Sequence, residues 1–138
     1  MDAEQMYQEM ILDCYRNPKN KGVLEDAQIK FRDSNPSCGD IIEIHARVNS
    51  QSIKDIKFSG KGCVISMAAA EMLTENVKDK SFEEIKKINK EKVLELLGIP
   101  VSPMRLKCAL LSLKILKFGV YNHLGERLED KEFDNMGI

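Results

Sequence analysis

The sequence predicts a chain whose strands and helices are segregated: one helix, a small antiparallel sheet, then several helices. Three observations point that way. Apolar and polar residues alternate with a period of two within residues 29–58. The turns between those runs are short, which suits a meander better than parallel crossovers. On either side, apolar residues recur at helical spacing and are bounded by capping and turn residues.

Residues 3–16 read as the first helix, with Met6, Tyr7, Met10, Ile11, Cys14 and Tyr15 as one apolar stripe. Asn17-Pro18 and Asn20-Lys21-Gly22 end it with turn residues. Ile29 and Phe31 mark a first strand. Residues 41–48 then place Ile42, Ile44, Ala46 and Val48 on one face and Glu43, His45 and Arg47 on the other. This is the pattern of a half-buried strand, with His45 on the solvent face. Asn49-Ser50-Gln51 turns the chain, and Ile56 and Phe58 mark the third strand.

Gly60-Lys61-Gly62 leads into a helix from about Cys63 to Val77. Ser81 and Glu84 form a capping box for another, which carries Phe82, Ile85 and Ile88. Glu91–Leu97 is helical after a break, and Gly98 stops it. Ser102 and Pro103 supply an N-cap and an N1 proline for a last helix to about Phe118. Leu106, Leu110, Leu111, Leu113, Ile115 and Leu116 make that helix apolar enough to sit at the centre of the core. His123 falls in a surface segment, and residues 125–138 are polar enough to fray. No repeat or linker divides the chain, so residues 1–138 read as one domain.

Composition excludes several classes. Of 138 residues, 43% are apolar, enough for a packed core. Lys and Arg number 21 against 22 Asp and Glu, so no basic excess advertises nucleic-acid binding. The acidic start is not a secretory signal, and no run reaches the roughly 18 apolar residues of a membrane span. The expected setting is the cytoplasm. Four cysteines there are rarely structural disulfides, and no C-x-x-C motif is present.

Cys38, Cys63 and Cys108 are the candidates for chemistry. Cys38 lies in Asn35-Pro36-Ser37-Cys38-Gly39-Asp40, a stiff loop that is a poor place for a packing thiol. Cys63 stands at a helix start, where backbone N–H groups favour thiolate. Cys108 is in the second turn of the last helix; alone, it would also serve as a core residue. Asp40 alone reads as a turn or strand-start residue. Together, three sulfurs and one carboxylate can hold a thiophilic metal or an iron–sulfur cluster, with a weaker grip than four thiolates. Cys14 lies within the first helix's apolar stripe and reads as packing. Neither His45 nor His123 has a ligand partner at helical spacing.

Over residues 5–120 the chain resembles the U-type iron–sulfur cluster scaffolds, the IscU/NifU/SufU group. The matching pieces are Tyr7 with Ile11-Leu12-Asp13, Tyr15-Arg16-Asn17-Pro18-Lys19-Asn20-Lys21-Gly22, Asn35–Asp40, Phe58–Ser66 and Arg105-Leu106-Lys107-Cys108-Ala109. The resemblance implies a compact α+β fold, a small mainly antiparallel three-stranded sheet packed by helices. It implies that Cys38, Asp40, Cys63 and Cys108 bind a [2Fe–2S] cluster or, alternatively, Zn2+. It also implies sulfur from a cysteine desulfurase as partner, with Cys108 as candidate persulfide acceptor, and recipient apo iron–sulfur proteins. The alternative activity is that of a zinc-dependent sulfurtransferase. An exposed site leaves open a homo-oligomer that shares one cluster.

The chain departs from both branches. Lys107 stands where IscU-type chains have a histidine before the third cysteine, which leaves Asp40 as the fourth ligand. Ile99–Arg105 replaces the Leu-Pro-Pro-Val-Lys segment used to engage a dedicated chaperone. The Arg105–Cys108 stretch is closer to SufU, yet Cys63 and Cys108 are only 45 positions apart, too few for the SufU insertion. Cys14 replaces a histidine common in related chains.

Overall fold

The computed structural model describes residues 2–126. Helix α1 (Ala3–Arg16) is followed by strands β1 (Ile29–Asn35), β2 (Asp40–Asn49) and β3 (Ser52–Lys61). Helices α2 (Val64–Val77), α3 (Phe82–Lys86), α4 (Lys90–Leu97) and α5 (Pro103–His123) complete the order. The strands form one antiparallel sheet in the order β1-β2-β3. The α+β architecture expected from the sequence is the one observed.

Register follows from the period-two pattern. Ile44 lies between Phe31 and Phe58, and Ala46 between Ile29 and Ile56. A one-residue slip would turn each of these side chains to the opposite face. α2 and α5 cover this apolar face and pack on each other. Leu73, Leu113, Ile115 and Leu116 are buried with Ile42, Ile44 and Phe58. Burying each such side chain contributes about 1.5–3 kcal/mol.

α5 runs five residues beyond the expected end at Phe118. Gly119 permits this rather than stopping it. A Cβ there would sit 2.7 Å from Ile29 Cγ2, so the bare backbone lets α5 press against β1. The stripe of α1 is only partly used. Ile11 is buried, but Met6, Met10 and Tyr15 are exposed, because α1 packs chiefly on α2 alone. Cys14 is half-buried against the core, and burial raises its thiol pKa, as befits a packing residue. His123 is exposed, as expected. The expected fraying of residues 125–138 lies, from residue 127 onward, outside the described residues.

His45 requires a correction. It does lie on the sheet face opposite Ile44, yet it is only 2% exposed. The segment between α1 and β1 crosses that face and covers it. Leu24 donates its N–H to His45 Nδ1 at 3.3 Å, while Nε2 meets the Glu43 carboxylate. That bond holds the Glu43 carboxyl below its usual pKa. Arg47 reaches the same segment through the Glu25 carbonyl at 2.7 Å.

The segment is anchored at its other end by Glu71, a buried residue of α2. Its carboxylate accepts the N–H groups of Lys19 and Asn20 at 3.1 and 2.9 Å. Asn20 and Gly22 also exchange backbone bonds with Phe58 on the edge of β3. The Asn17–Gly22 turn is therefore held between α2 and β3. Glu71→Ala would strand two backbone donors, each costing about 1–3 kcal/mol. We expect a stability loss of about 3 kcal/mol in denaturant titration, and a smaller one for Glu71→Gln, which keeps an acceptor.

Candidate metal centre

The site forms where three element ends meet. The β1–β2 turn is closed by the Asn35 carbonyl, which accepts the N–H groups of Cys38 and Gly39 at 3.2 and 2.9 Å. Gly39 takes the left-handed conformation that this turn requires (φ +73°) and leaves Cys38 exposed. Asp40 begins β2 opposite Asn35 and is fully buried. Its Oδ1 accepts the N–H of Cys63 at 3.0 Å. Its Oδ2 is buried without a hydrogen-bond partner. Gly62 makes room for this carboxylate, since a Cβ at that position would fall 2.5 Å from Asp40 Oδ1.

Cys108 projects from α5 into the same place and is fully buried. Its Sγ is 2.8 Å from Cys38 Sγ and lies 3.7 Å from the Asn35 side-chain amide nitrogen. Ligand atoms of Cys38, Asp40 and Cys108 all lie within 4.8 Å of one another. Among the described residues, theirs is the one His, Cys, Asp and Glu group so arranged.

Cys63 stands beside this set. It is the N-cap of α2 rather than its first residue, and its sulfur accepts the Ser66 N–H at 3.4 Å. Its backbone contributes at once, by holding Asp40. Asn35 belongs to the Asn35–Asp40 motif, but no local signal in the sequence shows that its amide reaches a helix 73 positions away.

Two thiols, a carboxylate oxygen without a partner and an adjacent third thiol suit a thiophilic metal or a cluster. Cys108 is not primed as a thiolate. Burial pushes its thiol well above the usual range, and the neighbouring Cys38 thiol and Asp40 carboxylate push it further. Arg105 and Lys107 are exposed and do not reverse this. A cation must therefore displace the Cys108 proton. Zinc titration of the metal-free protein near pH 7 should release at least one proton per ion. Affinity should rise about tenfold per pH unit for each proton displaced, since the proton competes with the metal. Calorimetry in buffers of different ionisation enthalpy measures that number.

This fold and this cysteine–aspartate cluster define a small α+β protein with a group of side chains that could hold a metal ion at an open end. The sequence from residue 6 to 130 matches the family of the NifU-like N-terminal domain, and the chain belongs to that family. It is 36% identical to the zinc-dependent sulfurtransferase SufU of Bacillus subtilis strain 168, over 90% of this chain and 95% of that one. It is 32% identical to the iron–sulfur cluster assembly scaffold protein IscU 1 of Archaeoglobus fulgidus, over 96% and 86%. A crystal structure from Fervidobacterium islandicum AW-1, of a candidate scaffold for the SUF system, superposes with a TM-score of 0.74 at 27% identity. It covers 86% of this chain and 99% of that one. No helix among the described residues is long and apolar enough to cross a membrane.

Proposed function

We propose that this chain is a cytoplasmic scaffold that assembles a labile [2Fe–2S] cluster as cargo and passes it to recipient apoproteins. The observation that carries this reading is the meeting of Cys38, Cys108 and the unpartnered Asp40 oxygen beside an exposed turn. Cys38, Cys63 and Cys108 supply thiolate ligands, and Asp40 supplies the fourth. Cys63 joins the set by giving up its bond from Ser66. A buried site would retain its cargo, whereas Cys38 opens this one to a recipient.

Sulfur comes from a cysteine desulfurase. Cys108 first gives up its proton to water; its thiolate then attacks the outer sulfur of the donor persulfide and becomes a persulfide, while the donor leaves as thiolate. Because Cys108 lies beneath Cys38, this step follows opening of the Asn35–Gly39 turn.

A second reading is a zinc-dependent sulfurtransferase. The SufU relative and the Arg105–Cys108 stretch favour it. The same four residues would hold zinc tetrahedrally. Anaerobic incubation with desulfurase, cysteine and ferrous iron separates the two. A stoichiometric, transferable visible chromophore supports the scaffold. Retained zinc with persulfide turnover and no chromophore supports the sulfurtransferase.

Asp40 is the hard ligand of the set, so its bond to the cluster should exchange most readily. Asp40→Cys supplies four thiolates without removing a ligand. The cluster should persist longer on this variant and transfer several-fold more slowly to an apoprotein. Equal retention and transfer, with the new ligand confirmed spectroscopically, would exclude Asp40 as the release element.

A further inference from the structure

We propose that Asn35 is a positioning residue that donates an N–H···S hydrogen bond to Cys108, fixing the direction of that sulfur and tuning its strength as a ligand. The proposal rests on the reading of Cys108 as a ligand. Asn35 is 7% exposed, and its Nδ2 lies 3.7 Å from Cys108 Sγ, within reach of a hydrogen bond to sulfur. Its carbonyl holds the Cys38 turn, and its backbone pairs with Asp40. One side chain and its backbone thus touch all three members of the cluster.

The chemistry of the position favours an amide. A buried N–H without an acceptor is costly, and the Cys108 sulfur is the acceptor the structure provides. Leucine of similar size would donate nothing. Aspartate of nearly the same shape would set a negative charge against a thiolate. An N–H donor withdraws electron density from the sulfur, and hydrogen bonds of this kind set the properties of metal–thiolate centres. Cys38, which is exposed, is hydrogen-bonded to Asn35 through its backbone, so the two thiols would differ as ligands.

The test uses Co2+ as probe on the full chain, comparing wild type with Asn35→Ala and Asn35→Asp. Both variants should keep the wild-type circular dichroism. Their sulfur-to-cobalt charge-transfer band should move to longer wavelength, further in Asn35→Asp. Cobalt should dissociate about 10–100-fold faster from Asn35→Ala, the scale of losing an outer-shell partner that holds the sulfur in its direction. A purely structural role would lower the melting temperature and leave the band in place. If Asn35→Ala does not fold, the near-isosteric Asn35→Asp decides.

A metal-free measurement separates this proposal from the functional reading beneath it. The Asn35 side-chain amide proton resonances should shift when Cys108 is replaced by serine. Unmoved resonances, or an unchanged band and off-rate in a folded variant, would overturn the proposal. Failure of wild type to take up cobalt would instead overturn the metal reading, and the resonance shift would still decide whether the hydrogen bond exists.

Discussion

The bond between Asp40 Oδ1 and the Cys63 N–H joins the start of β2 to the start of α2. Every other feature of the site is arranged around it. It fixes one oxygen of a fully buried carboxylate and leaves the other without a protein donor. A buried carboxylate oxygen with no partner is costly in isolation. The arrangement is sensible where a cation completes it. Gly62 enforces the same geometry sterically, because any side chain there would collide with Asp40.

The rest of the fold keeps that join rigid. The sheet brings Asp40 to the end of the β1–β2 turn, and α5 brings Cys108 to the same end. Both depend on the apolar layer between sheet and helices, where β-branched and leucine side chains fix strand register. Glu71 performs a parallel task at some distance in sequence. It fastens the segment after α1 to α2, and the same segment then covers His45 and accepts the Arg47 guanidinium at the Glu25 carbonyl. Stability and site geometry are therefore supplied by different polar networks on one scaffold.

Elements with local signals were legible in the sequence. The Ser81–Glu84 capping box, Gly98 as a stop and the alternation of β2 each rest on neighbours a few residues apart, and each is observed. His45 was misplaced because alternation reports which face a residue occupies, not what later crosses that face. The end of α5 was placed about five residues short, because the close packing of Gly119 on Ile29 that carries the helix onward has no local signal. The four candidate residues could be named from motif and resemblance. What motif could not show was the division among them: two sulfurs and a carboxylate meet, while the third sulfur caps α2. Nor could it show burial, which makes Cys108 a reluctant acid.

The two sides of the sheet end differently. Beyond β3, backbone bridges from Lys21 and Ser81 occupy parts of the strand's outer edge. Among the described residues β1, on the other side, pairs with β2 alone and leaves Lys30 and Arg32 exposed. An unpaired strand is a template for another chain, and exposed basic side chains on it discourage that pairing. Two copies meeting β1 to β1 would bring like charges together. If the chain gathers sulfur and iron at one end, as proposed, this like charge along β1 would keep copies gathered around a shared task from adding to one another as an extended sheet.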